Sequence, residues 1–269
     1  MSSAIREWLN LTVRWFHVFA GILWVGQTYY FTWLDGQFHK AKARLPGAKR
    51  TVWMVHSGGF YAVEKQQSLG VSAGQVRWFR WEALLTWLSG MTLLILVYYL
   101  SSGLIDPDVA EISQGRAVSI GIAVLVGGWA IYDLAVRSSL SKSETVFSAF
   151  AFLMTAAVSW GLLHVFSARA AYLHVGALFG TIMTLNVWMR ILPAQRKMIA
   201  AAGGATFDSK LSAQAKLRSK HNTFMAVPVV FLMISNHFPV ATYGNRFNWE
   251  ILLGLIVIGW TAAKLIRSA

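Results

Sequence analysis

The run ARAAYLHVGALFGTIMTLNVWMRILP, residues 168–193, decides the fold. Between Arg169 and Arg190 it carries no charged residue, and its one histidine is His174. Drawn as a helix over 168–192 it spans roughly 37 Å at 1.5 Å per residue. That exceeds the ~30 Å hydrocarbon core of a bilayer. Six further apolar runs read the same way, at about 12–34, 79–100, 116–136, 144–166, 222–238 and 247–266. The sequence therefore predicts an all-α, polytopic transmembrane helix bundle of about seven spans, built as a single integral-membrane domain over 1–269. Pro193 is expected to close the fifth span and Pro228 to kink the sixth.

Composition agrees. The chain is 56% hydrophobic and only 13% charged, where a soluble domain carries about 25% charged residues. The absence of cysteine excludes disulfides, thiolate metal sites and covalently attached haem c within this chain. The N-terminal segment lacks a cleavable signal pattern, so the first apolar run is read as a span.

The net charge of +13 is unevenly spread. The connections at about 35–78 and 193–221 are basic. The first holds Lys40, Lys42, Arg44, Lys49, Arg50, Lys65 and Arg77; the second holds Arg196, Lys197, Lys210, Lys216, Arg218 and Lys220. The 101–115 connection is acidic. The positive-inside rule then puts the basic connections and the C-terminus in the cytoplasm and the N-terminus outside. The expected location is a membrane crossed several times; the resemblance given below implies that it is a bacterial inner (cytoplasmic) membrane. Topology accounts for the basic excess, so no nucleic-acid partner is invoked; the partner on the basic side is the lipid bilayer. Within the first connection, residues 51–67 mix aromatics with Gly58-Gly59 and Glu64-Lys65. They read either as an interfacial hairpin or as a short amphipathic helix.

Ionisable residues within spans are costly and usually face a cavity or a partner. Counting depth along the spans places His17, His164, His174 and His237 in the outer third of the membrane. Glu82, Asp133, Arg190 and His221 form a thinner set near the inner side. Neutral imidazoles from two helices can hold a haem, which makes His17 and His174 the expected ligands of a haem b iron. Gly21 and Trp24 share the His17 face, leaving room for a flat ring to approach the backbone. Gly176 and Gly180 read as a helix-packing face. The plainer readings are that His164 is interfacial and that Glu82 pairs with Arg77 or Arg80. His39 and His56 lie in the connection and are not read as ligands.

Five strings carry a resemblance: WFHVFAGILWVG (15–26), GGFYAVEK (58–65), WFRWEALLTWLSG (78–90), HVGALFGTIMTLNVWMRILPAQRKMIA (174–200) and HNTFMAVPVVFLMISNHFP (221–239). Together they resemble the membrane domain of the bacterial membrane-bound, cytochrome-c-linked urate oxidase (urate hydroxylase) family, over about residues 8–265. The resemblance implies oxidation of urate, or a related purine, to the 5-hydroxyisourate level. It also implies passage of electrons to a c-type cytochrome. Members of that family carry an eighth span and a fused cytochrome c domain. This sequence departs from that pattern in having no CxxCH, so either a separate c-type cytochrome serves as partner or the activity is altered. His17, His174, His221, Asn236 and His237 fall on the matched strings. Of these, Asn236 is expected to bond a purine edge, with His237 and His221 as candidates for taking the proton. Two other functions fit the same pattern of spans: a quinone-linked haem b electron-transfer subunit without urate activity, and a transporter. The second lacks the inverted repeats and paired broken helices of transporters.

Overall fold

The structure, a computed structural model, describes residues 2–44, 51–66, 77–201 and 209–268. Among the described residues, seven helical rods are packed side by side. They are α1 (Ser3–Arg44), α2 (Trp81–Leu94), α3 (Gln114–Arg137), α4 (Glu144–Leu163), α5 (Ala168–Asn186) running on into α6 (Leu192–Ala201), α7 (Ser209–Ile234) and α8 (Asn248–Ser268). Five of them, 81–99, 114–137, 144–163, 168–200 and 248–268, are long and apolar enough to cross a membrane. The chain is a membrane protein with an all-α bundle. A row of exposed residues along α1, including Trp8, Leu11, Trp15, Val18, Phe19 and Ile22, is the surface that lipid covers at low cost and water does not.

The rods form where the apolar runs predict them, because every backbone amide in lipid must find its partner within its own segment. Their ends differ. α1 continues to Arg44 and α7 starts at Ser209, so parts of both basic connections are helical. Lys49, Arg50 and Gln67 lie outside the described residues. Pro193 does not close the fifth span. A π-helical turn, Val187–Ile191, precedes it and the rod runs on through α6. Wide turns of this kind relax the hydrogen-bond ladder that a proline interrupts. α7 continues through Pro228, whose ring lies where a Cβ on Gly259 of α8 would come within 2.8 Å.

α5 is the central rod and packs against α2, α3, α4 and α7. Tyr172, His174, Val175, Leu178, Ile182 and Asn186 are fully buried along it. The expected packing face is half present: Gly176 meets Leu232 and Met233 of α7, whereas Gly180 has open space beside it. Serines cap the starts of α3, α4 and α5. The Ser113, Ser143 and Ser167 hydroxyls accept from the amides of Arg116, Val146 and Ala170, satisfying donors the helix leaves free.

The 51–67 segment resolves in favour of the hairpin. β1 (Thr51–His56) and β2 (Gly59–Glu64) pair antiparallel, with Thr51 opposite Glu64 and His56 opposite Gly59. Ser57 and Gly58 both take positive φ, 50° and 75°, as a two-residue turn between twisted strands requires.

Candidate functional site

At the end of the bundle where α5 starts and α7 finishes, three elements converge. A π-helical turn, Ile95–Tyr99, ends the α2 rod and delivers two consecutive tyrosines to one place. Tyr99 stacks on His174 at 5.7 Å and Tyr98 meets the same ring edge-on at 6.5 Å. Gln114 holds the turn by donating to the carbonyls of Tyr98, Tyr99 and Ser101. His174 Nδ1 donates to the Ala170 carbonyl at 2.8 Å. That fixes the tautomer, so Nε2 accepts from the Tyr99 hydroxyl at 3.2 Å. From the first turn of α5, Arg169 donates through Nε to Asn236 Oδ1 at 2.7 Å. Its guanidinium lies 6.0 Å from the Tyr98 ring centre. The Tyr98 hydroxyl is buried and has no hydrogen-bond partner. His237 follows Asn236 in a short 3-10 turn (Ser235–His237) and is exposed.

This end therefore presents a guanidinium whose two terminal nitrogens make no hydrogen bond among the described residues, an oriented amide and an exposed imidazole, with the unpaired Tyr98 phenol buried against the guanidinium. Such a set suits a planar anion with carbonyl groups, because Arg offers a rigid fork of donors. Arg169, Tyr98 and Tyr99 were not singled out from sequence. No motif marks them, because their meeting depends on how α2, α5 and α7 pack.

The histidines do not form one layer. His17 Nδ1 lies 3.0 Å from both the Thr86 carbonyl and Ser89 Oγ, and its ring would meet a Cβ on Gly90 at 2.9 Å. His174 instead meets Tyr99, and the rise from Gly90 to Tyr99 is roughly 14 Å. Among the described residues the neighbours of His17 (Thr86, Ser89, Gly90) and of His174 (Tyr98, Tyr99, Phe166, Ala170) do not overlap. His164 bonds the Trp160 carbonyl of its own helix at 2.7 Å and is exposed, the interfacial behaviour expected of it.

The arrangement does not fit the expected haem b pair. The His174 Nε2 lone pair is taken by Tyr99, and Tyr98, Tyr99 and Phe166 close around a fully buried ring. Of the two, His17 alone has an Nε2 with no hydrogen-bond partner among the described residues. No three His, Asp or Glu side chains converge on a metal-sized site among the described residues.

His221 belongs to the opposite end. The rise from His221 to Ile234 alone is roughly 20 Å, so His221 and His237 do not act on one substrate molecule. His221 stacks on Phe147 at 4.5 Å and meets the Tyr132 hydroxyl at 2.9 Å. Tyr132 accepts from Asn186, which also donates to Asn222 and accepts from Arg218. Arg218 and Arg190 both engage Asp133, at 2.6 and 2.5 Å, and Arg137 adds a third contact at 3.0 Å. Asp133 and Arg218 are buried. The network ties α3, α5 and α7 together with its side chains already partnered, which makes it a clamp. Arg218, a connection residue by sequence, sits inside α7. Glu82 pairs with neither Arg77 nor Arg80; its Oε2 is buried without a partner.

A family model described as urate oxidase N-terminal matches residues 3–268. Neither curated proteins nor solved structures give a match.

Proposed function

The chain belongs to the urate oxidase N-terminal family, and on that premise we propose that it is a membrane-bound oxidoreductase that oxidises urate. Urate and water give 5-hydroxyisourate, two protons and two electrons, and each electron reduces one molecule of a separate oxidised c-type cytochrome. The single observation that carries the assignment of the site is the Arg169–Asn236 hydrogen bond beside the unpaired Tyr98 hydroxyl.

In this reading the terminal nitrogens of Arg169 bind the urate anion. Asn236 is a positioning residue that fixes the guanidinium, and its second amide hydrogen is left for a purine carbonyl. The buried Tyr98 ring backs the Arg169 guanidinium. His237 takes the proton released as water adds to the purine carbon. His174, locked by Ala170 and Tyr99, holds the tyrosine pair in place.

The orientation that follows from the basic connections supports the same site. With the N-terminus outside a bacterial inner membrane, the His237 end faces the compartment where soluble c-type cytochromes work. The whole of 1–269 then acts as one membrane domain.

The test is urate depletion by membranes supplied with oxidised cytochrome c, comparing wild type, Arg169→Ala and His237→Ala. Urate loss coupled to cytochrome reduction in wild type, and at least tenfold slower in both variants, is the expected result (one lost charge-assisted hydrogen bond costs about 1.5–3 kcal/mol). Wild-type rates in both variants would overturn the site. Cytochrome reduction that proceeds without urate would overturn the activity.

A further inference from the structure

The hairpin between α1 and α2 has no role in the proposed reaction, yet it carries an unusual surface. By strand alternation Trp53, Val55, Phe60 and Ala62 share one face, while Val52, Met54 and Val63 share the other. The second face turns to α1, where Tyr30 donates its hydroxyl to Met54 Sδ at 3.5 Å. Lys65 pairs with Asp35 of α1 at the base of β2. The first face is bare: Trp53 is 70% exposed, Val55 69% and Phe60 80%.

A two-stranded hairpin is marginal alone in water and needs a covered face. An apolar patch at a sheet edge is also an aggregation liability there. Its position in the fold says what covers it. Tyr30 lines an apolar groove of about 330 Å³ with Ile22, Leu23, Phe31 and Phe79, on the lipid-facing side of α1. The hairpin is thus fastened beside a membrane rod, at the level where α2 begins. In sequence it is flanked by Lys40, Lys42, Arg44, Lys49 and Arg50 before β1 and by Lys65 and Arg77 after β2. Arg80, one turn further on, has its guanidinium within 6 Å of the Trp78, Trp81 and Trp188 rings. Aromatics and aliphatics bordered by cations are the composition of the headgroup region of an anionic leaflet.

We propose that the hairpin Thr51–Glu64 is an interfacial anchor whose Trp53–Val55–Phe60 face lies in the anionic phospholipid leaflet on the basic side of the bundle. The main-chain edges stay at headgroup depth, where water and phosphates satisfy them, since an open sheet edge is not tolerated in hydrocarbon.

The absence of cysteine makes the test direct. Val55→Cys, Phe60→Cys and, in the loop at the opposite end, Asp108→Cys are each labelled with an environment-sensitive fluorophore. The full chain is then reconstituted into phosphatidylcholine–phosphatidylglycerol vesicles. Labels at 55 and 60 are expected to be quenched by nitroxide lipids carrying the quencher near the headgroup. They should also be severalfold less sensitive to iodide than the label at 108. Iodide quenching equal to that at 108 overturns the proposal by showing a water-exposed hairpin. Protection from both quenchers overturns it in favour of a protein partner or a second copy on that face. Two labelled positions guard against one variant failing to fold. Neither result depends on urate turnover.

Discussion

Asn236 accepts a 2.7 Å hydrogen bond from Arg169 Nε, joining the end of the α7 rod to the first turn of α5. The bond spends the side nitrogen of the guanidinium and leaves its two terminal nitrogens aimed elsewhere. Asn236→Ala should therefore weaken urate binding without removing the charge. The expected signature is a KM raised roughly tenfold with a smaller change in kcat, because about 1.5 kcal/mol is lost from holding Arg169. Arg169→Lys should do worse in both parameters, since an ammonium is not a fork. Steady-state cytochrome c reduction over a urate series measures both.

Gly121 on α3 is the wall behind the tyrosine–histidine pair. A Cβ there would come within 2.6 Å of the Tyr99 hydroxyl and 3.0 Å of His174 Nε2. Gly121→Ala should break the Tyr99–His174 bond and lower kcat. Gly127→Ala on the same helix meets nothing within 4 Å and should be neutral, or more stable by a few tenths to about 1 kcal/mol from helix propensity. Activity assays alongside thermal unfolding in detergent separate the two outcomes.

The Asp133 clamp sets stability. Asp133→Asn leaves buried Arg218 without its counter-charge, and removing one partner of a buried pair costs about 3–5 kcal/mol. Arg137, whose side chain is 53% exposed, contributes far less, and Arg137→Ala should cost under about 1 kcal/mol. Thermal melts of the purified variants should rank Asp133→Asn well below Arg137→Ala. If the two melt together, the clamp is not a stability element.

The crossing of α7 and α8 rests on the absence of one methyl group. A Cβ on Gly259 would lie 2.8 Å from two ring atoms of Pro228, and neither a proline ring nor a helix backbone yields easily. Gly259→Ala should destabilise by about 1–3 kcal/mol. Gly254→Ala, with open space beside it, should not. Thermal unfolding of the two variants gives the comparison.

The helical runs were readable in the chain because the length and apolarity of a run answer to a fixed bilayer thickness, a test that five of the seven rods meet. The hairpin was one of two readings of residues 51–67, and the Ser57–Gly58 turn decided between them. The histidine layer was not readable. Counting from the end of an apolar run gives depth only as well as the end is known. α1 is helical from Ser3 and His17 packs on Thr86, Ser89 and Gly90, well away from Tyr99. Pro193 misled for a related reason, since a proline stops an α-helix but a preceding π-helical turn lets the rod continue.

What sequence alone determined was the solvent: long uncharged runs must sit in lipid, and in lipid they must be helices. What only the tertiary structure decided was company. A side chain's azimuth, and the helix it meets there, come from how seven rods pack around α5. No single run encodes that Arg169 turns to Asn236, that His174 is closed in by tyrosines, or that Asp133 gathers three arginines. Hydrogen bonds and ion pairs across helices depend on ångström-scale distances, and the bundle sets those distances only when it is assembled.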